Sequence, residues 1–404
     1  MKICIDATPI GIVTVDKGGV CRYIFELIKA ISLLDQTNQY TLFFNFFREK
    51  SLPIFHDTIK RLRAGENFHV RLSRVPMRLR NIIEPPIELL TGRFDIFHGC
   101  FDYLPRILFG QGVVTIHDVR YMENIDNETD AEWIKMLKQF SPSPEFYVKD
   151  YLGRSCFFNH LRSTVKKTIQ RADRVITVSE FCKSRITELL CIPSEKVKVI
   201  HHGVDKHFKP LPPKEVRPVL DKFGVKKPYI FYAGKFDPLK NLIRLLEAFK
   251  EITVLHDVNL VMAGIINWFY YILIEKARQL NILNKVVFTD FVTDEELVAL
   301  YNGASAFALP SIYEGFGIPL LEAMACGVPI VTSNICSIPE VVGDAALFAD
   351  PYSVTDLSQC ILQCLTNETL QEELIEKGKK QVKLFTWENS AKETIAIYKE
   401  ACEK

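Results

Sequence analysis

At 404 residues the chain is long enough for two domains. Hydrophobic residues make up 48% and charged residues 25%, which supports a sizeable buried core and excludes wholesale disorder. Lys+Arg numbers 50 against 49 for Asp+Glu, a balance that argues against a general nucleic-acid binder while leaving room for a local basic patch.

Alternating short apolar runs and longer amphipathic ones predict an α/β protein with parallel sheets. A first series of strands is expected at Lys2–Ala7, Tyr40–Phe44, Phe68–Val75, Asp95–His98, Val113–His117, Arg174–Val178 and Val197–Ile200, with helices such as Val20–Leu34 and Leu161–Arg171 between them. A second series is expected at Tyr229–Ala233, Asn259–Ala263, Val286–Phe288, Ala306–Leu309, Pro329–Thr332 and Ala346–Phe348. The segment His201–Lys214 (HHGVDKHFKPLPPK) lies between the series, has no apolar periodicity and reads as a linker. Two doubly wound domains joined there would face a cleft, and open α/β sheets bind ligands at the carboxyl ends of their strands. Tyr121–Pro144 reads as a loop long enough to be functional or mobile.

The 11 cysteines are scattered and odd in number, with no CxxC and no zinc-like Cys/His spacing. Reduced thiols in a reducing compartment are expected, with Cys360 and Cys364, one helical turn apart, packing in a core. Met1-Lys2 runs directly into a strand without a signal-peptide apolar region, and no apolar run reaches the roughly 18 residues that span a bilayer. The expected location is cytoplasmic, at most peripheral on the membrane's inner face.

Four segments carry candidate chemistry. In Ser311–Gly327 (SIYEGFGIPLLEAMACG) a strand runs through a glycine-containing loop into a helix. Gly315 and Gly317, around Phe316, let backbone amides approach an anion, and a helix N-terminus leading through Leu320 adds partial positive charge. Glu314 in the loop and Glu322 about a turn and a half into the helix would be repelled by phosphate, so hydroxyls suit them: a sugar for Glu314, a ribose for Glu322. Two solvated glutamates around an ordinary helix start are the plain alternative. In Tyr232–Asn241 (YAGKFDPLKN), Lys235 and Lys240 flank one strand-to-helix turn and could converge on a diphosphate leaving group, or be solvated surface lysines. In Asp16–Tyr23 (DKGGVCRY), Gly18 and Gly19 could bring backbone N–H groups against a phosphate or sugar. His117 ends a buried strand, where a lone histidine is either structural or placed at a ligand site. No DxD, Walker A, HExxH or GxSxG pattern occurs, so neither a metal site nor a cofactor is expected.

Together these segments resemble the family 4 glycosyltransferases, the large retaining group with the GT-B fold. The resemblance is strong across 225–345 and weaker across 1–30 and 113–205. It implies two Rossmann-like domains facing across a cleft, an N-terminal acceptor-side domain over 1–205 and a donor domain over 206–386, with a terminal helix from Trp387 to residue 404 crossing back to the first. It places Glu314 on the donor sugar's hydroxyls, Glu322 on the ribose, and Lys235 and Lys240 on the diphosphate. The first of those two positions is more often Arg in the family, and Lys loses bidentate recognition there. Gly18 and Gly19 match the family's glycine loop, His117 its histidine beside the reacting sugar, and Gly315, Phe316 and Gly317 its backbone-amide loop. Segments such as VSEFCKSRI, HHGVD and YEGFGIPLLEAMACGVPIV are similar to bacterial mannosyltransferases of O-antigen and polysaccharide assembly, whereas 119–160 departs from the pattern.

The implied reaction transfers a hexose, mannose first, from a GDP- or UDP-sugar to a hydroxyl of a glycan or lipid-linked acceptor, with retention and without metal. Front-face departure and attack are expected, because no carboxylate stands out as a nucleophile. Alternatives are a UDP-sugar transferase for glucose, galactose or GlcNAc, a GT-B phosphorylase or epimerase, and a non-catalytic nucleotide-sugar binder. The base would meet loops near Ala263–Gly264 and Asp290–Val292. Lys60, Arg61, Arg63, Arg71, Arg74, Arg78 and Arg80, with Glu66 the only acid among them, form either a solvated face or a contact for anionic lipid.

Overall fold

The computed structural model describes residues 1–12, 18–46, 51–76, 84–123 and 161–403. They form two compact units. The chain passes from the first to the second after Gly203 and returns at Thr386.

The first unit holds a seven-stranded sheet of β1 (Lys2–Asp6), β2 (Gln39–Asn45), β3 (Phe68–Ser73), β4 (Ile96–Gly99), β5 (Gln111–Ile116), β6 (Arg174–Thr177) and β7 (Val197–Val199). Its order is β3-β2-β1-β4-β5-β6-β7, and every pairing is parallel. The second holds six parallel strands: β8 (Tyr229–Ala233), β9 (Asn259–Ala263), β10 (Val286–Asp290), β11 (Ala306–Leu309), β12 (Ile330–Ser333) and β13 (Ala346–Ala349). Their order is β10-β9-β8-β11-β12-β13. Both sheets are Rossmann-like: the strand order reverses beside β1 in one and beside β8 in the other, and such switch points open the crevice in which ligands bind.

All thirteen expected strands are present, with ends displaced by at most two residues. Helices on both faces bury both sides of a parallel strand, so such strands read as continuous apolar runs; β8 is buried at all five positions. One expectation is corrected at the linker. Pro213 and Lys214 open the helix Pro213–Phe223, because proline is tolerated in a first turn where its missing N–H would have no partner.

The last helix, Trp387–Cys402, belongs to the first unit. Thr386 caps it by accepting from the Asn389 amide. Trp387, Ala391, Thr394, Tyr398 and Ala401 recur every three or four residues and are buried, and the helix lies against Gly19–Leu34. Among the described residues no helix is long and apolar enough to cross a membrane. Cys364 is buried and Cys360 half-buried on the helix Val354–Thr366, and both are free thiols.

Candidate functional site

In the second unit the candidate residues cluster on the loops that follow β8 and β11, the strands beside the switch point. The first loop ends in a turn, Pro238–Lys240, capped by Asp237, whose carboxylate accepts from the Leu239 amide. Asn241 then adopts left-handed backbone with φ 59°. Its side-chain amide donates to the carbonyls of Pro310 and Pro351 at 3.0 and 2.7 Å, and Arg244 donates to its oxygen at 2.9 Å. The Ile312 amide donates to the Leu239 carbonyl at 2.8 Å, so the two loops are bonded into one surface.

That surface brings Lys240 onto Glu314. The ammonium donates to Oε1 at 2.5 Å, and the Ser311 hydroxyl donates to the same oxygen at 2.7 Å. Glu314 is 7% exposed and Glu322 5%, which excludes the reading of both as solvated surface acids. An ammonium carries three donors, so one bond to Glu314 leaves two for a ligand. Lys235 is exposed, and its carbonyl accepts from Tyr232 at 2.8 Å.

Gly317 has φ 97° and sits at the N-cap of the helix Ile318–Cys326, a backbone setting that favours glycine. Ser337 donates to the carbonyls of Glu314 and Phe316 at 2.9 and 3.2 Å, which pins the loop around Gly315 from below. Phe316 is buried edge-on to Phe385 at 5.9 Å. Leu320 is fully buried, and its amide donates to the Gly317 carbonyl at 2.9 Å, so it packs beneath the loop. Glu322 accepts from the Tyr301 hydroxyl at 2.9 Å.

Next to β8, Gly264 admits no side chain: a Cβ there would lie 2.2 Å from the Gly234 carbonyl oxygen. A register irregularity near the end of β10 places Asp290 at φ 59°, where its carboxylate accepts from the Ile266 amide at 3.0 Å. The loops expected to meet the base are thereby joined.

The first unit assembles its candidates from more distant parts of the chain. Gly18 is the exposed N-cap of Gly19–Leu34, and a Cβ there would meet nothing within 4 Å, so the local fold does not itself demand glycine. His117 is the first residue after β5. Its amide donates to Asp102 at 3.1 Å, and its Nε2 lies 3.1 Å from the Cys100 carbonyl. A carbonyl only accepts, so Nε2 carries the proton and Nδ1 of the neutral ring is an acceptor. Burial holds the imidazole below its usual range, against the opposing pull of the Cys100 carbonyl and the Asp118 charge. Burial first, then Asp118, pushes the Asp102 carboxyl up to about 8, opposed by the His117 amide. The Tyr23 ring stands edge-on to His117 at 4.8 Å, and His202 lies 5.6 Å from it.

Tyr23, Asp102, His202, Asn241, Tyr301, Ser311 and Ser337 were not singled out from sequence. Tyr23, His202, Asn241 and Ser311 stood inside quoted motifs without a role of their own, and of these only Asn241, an Asn before a helical run, carried a usable local signal. In the basic run, Lys60, Arg61, Arg63, Arg71 and Arg74 are exposed; Arg61 pairs with Asp57 at 3.8 Å and Arg71 donates to the Leu90 carbonyl at 2.6 Å. Arg78, Arg80, Asp16, Lys17 and most of the Tyr121–Pro144 loop lie outside the described residues.

Two Rossmann-like units, each with its candidate residues beside a switch point, are the architecture of glycosyltransferases with the GT-B fold. Residues 17–208 match the family described as Glycosyltransferase Family 4, and residues 219–381 match that described as Glycosyl transferases group 1. The chain belongs to these glycosyltransferases and is a transferase. It is 29% identical over 390 residues to O-antigen chain mannosyltransferase B of Escherichia coli, covering 94% of this chain and 96% of that one. Among solved structures, sucrose-phosphate synthase from Thermosynechococcus elongatus aligns with a TM-score of 0.72 at 17% identity, over 99% of this chain and 98% of that chain. Anabaena HepE in complex with UDP-glucose also aligns at 0.72, with 16% identity over 99% and 100% of the two chains. At these identities the two structures speak to the fold alone.

Proposed function

We propose that this protein transfers mannose from GDP-mannose to a hydroxyl of a glycan or lipid-linked acceptor in polysaccharide assembly, with retention of configuration and without a metal. The observation that carries the reading is the Lys240–Glu314 pair at 2.5 Å beside the switch point, a cation and an acceptor held together where a sugar diphosphate would lie. The E. coli relative supports mannose as the sugar and O-antigen-type polysaccharide as the setting.

The chemistry then follows from charge. The bond between the sugar's anomeric carbon and the diphosphate breaks, and negative charge grows on the leaving phosphate. Lys240, Lys235 and the N-terminus of Ile318–Cys326 stabilise that charge, more than they would in water because the site is partly buried. Glu314 accepts from sugar hydroxyls and Glu322 from the ribose, while Gly18 and Gly19 admit their backbone to the diphosphate. His117, neutral and with Nδ1 as acceptor, takes a hydrogen bond from a sugar hydroxyl. The acceptor oxygen attacks from the face the diphosphate leaves, and its proton passes to the leaving phosphate oxygen. Exposed Lys60, Arg61, Arg63, Arg71 and Arg74 support peripheral contact with anionic lipid at the cytoplasmic face. Salt-sensitive cosedimentation with anionic vesicles tests that contact, and no cosedimentation at low salt rejects it.

The deciding experiment is thermal stabilisation by GDP, UDP, ADP and their sugars, followed by NMR of the anomeric product. A ligand at a hundredfold excess over Kd stabilises by about 2.7 kcal/mol. Selective stabilisation by GDP and GDP-mannose, with an α-linked product from the α-linked donor, is the expected result. Selective response to a UDP-sugar overturns the donor assignment, and no response to any nucleotide overturns nucleotide-sugar transfer.

A further inference from the structure

Tyr23 joins a buried chain of polar groups that the proposed chemistry does not use. It lies in the helix Gly19–Leu34, is 3% exposed, and presents its ring at 81° to the His117 imidazole with centroids 4.8 Å apart. Its hydroxyl is 2.8 Å from Thr115 Oγ1, on β5 two residues before His117. The same Thr115 oxygen is 2.8 Å from His98 Nε2, and His98 Nδ1 is 2.7 Å from the Tyr398 hydroxyl in the last helix. All of these groups are buried, and burial pushes the His98 ring down to about 3, so it is neutral and carries a single N–H. The chain therefore has one donor and one acceptor at His98, whichever way its protons point.

A chain buried this deeply is shut off from bulk solvent, so each bond restricts its neighbours. The Cys100 carbonyl fixes one edge of the His117 ring at Nε2. One bond leaves an imidazole free to swing about that contact, and the rings that flank it are Tyr23, edge-on at 4.8 Å, and His202 at 5.6 Å. We propose that Tyr23 is a positioning residue for sugar transfer: it holds the His117 ring in place, and is itself held by Thr115, His98 and Tyr398. Four segments distant in sequence thereby set the aim of one nitrogen. The inference rests on the reading of His117 as the residue that contacts the sugar.

A double-mutant cycle on the full chain tests it. Tyr23→Phe keeps the ring and loses the anchor, Tyr398→Phe cuts the far end of the chain, and Tyr23→Leu removes the ring. Misplacement of a contact group by a fraction of an ångström lowers turnover, so kcat should fall about threefold in Tyr398→Phe, about fivefold in Tyr23→Phe and about twentyfold in Tyr23→Leu, with donor KM changed less than about twofold. In a His117→Ala background none of the three should lower kcat further, since residues that act through one another are not additive. Wild-type kcat in His117→Ala alone overturns the reading of His117. A large loss in His117→Ala with unaltered kcat in the tyrosine variants, or with losses that multiply, overturns the positioning role alone. Tyr23→Phe and Tyr398→Phe are close in shape to the native residues and carry the test if Tyr23→Leu does not fold. Their histidine carbon-13 NMR spectra should show the His117 signal moved, and an unmoved signal counts against the proposal.

Discussion

The two units share a strand order and place their candidate residues at the same end of the sheet, yet they build those residues into sites differently. In the second unit, Lys235, Lys240, Glu314 and Glu322 lie on two continuous segments, each a strand, a turn and a helix start. Local rules suffice there: an Asp237 cap, left-handed Asn241 and Gly317 with φ 97° each set their own backbone. In the first unit, His117 is set by Cys100 and Asp102 from the loop after β4, Tyr23 from a helix, and His202 from the end of the unit. The difference teaches that a site made of turns is tuned by single residues, whereas a site made of packed side chains is tuned by its whole surroundings.

The largest expected effect sharpens this contrast at Lys240. Lys240→Ala should lower kcat by about a hundredfold to a thousandfold, through loss of leaving-group stabilisation. It also leaves Glu314 buried without its cation, so thermal stability should fall in the absence of ligand. Turnover within a fewfold of wild type would place diphosphate stabilisation elsewhere.

Packing is tested next, in one glycine of each unit. An alanine Cβ at Gly264 would lie 2.2 Å from the Gly234 oxygen, and one at Gly203 would lie 2.2 Å from the Trp387 nitrogen. Each collision is with backbone, which cannot rotate away, so either substitution should cost about 2–3 kcal/mol, read as a lower Tm. Unchanged melting would mean that the chain shifts more easily than this packing allows.

A pH-dependent effect belongs to the first unit. Asp102 is pushed up to about 8 in the fold, against about 4 in an unfolded chain. Between those values the folded state holds a proton that the unfolded state has lost, so stability present below about pH 4 declines as pH rises towards 8. An asparagine side chain in this position keeps an oxygen for the His117 amide and does not titrate. Asp102→Asn should therefore gain in Tm relative to wild type between pH 5 and pH 9, and a constant difference across that range would show an ordinary carboxylate. The smallest effect is expected at Tyr301→Phe, which removes one hydrogen bond to Glu322. That costs about 1 kcal/mol, or roughly a fivefold rise in donor KM with kcat retained. An unaltered KM would mean that Glu322 needs no help from Tyr301.

Much of the fold was legible because its signals are local. Continuous apolar runs such as YIFYA and FYAGK-type turns identify buried parallel strands and the loops that follow them, and every expected strand is present. Their ends were less legible, since a strand stops where its partner's backbone does. His117 shows this: the apolar run included it, but the ladder closes at Ile116 and Thr177. The positions of Lys240 and Glu314 were readable from spacing, but their bond to each other was not. The sequence reading gave them separate partners, and only the Ile312–Leu239 link shows that the two turns share one surface.

The sequence by itself determined the class of fold, the family and which segments carry charge at strand ends, because periodicity, turn residues and glycine positions act over a few residues. Tertiary structure alone decided that Glu314 and Glu322 are buried, that His117 turns Nε2 to the Cys100 carbonyl, and that Tyr398 reaches His98 across 300 residues of chain. Those outcomes depend on which groups meet after the sheets have formed. A residue's protonation and its partners are properties of its surroundings, and no local stretch of sequence contains them.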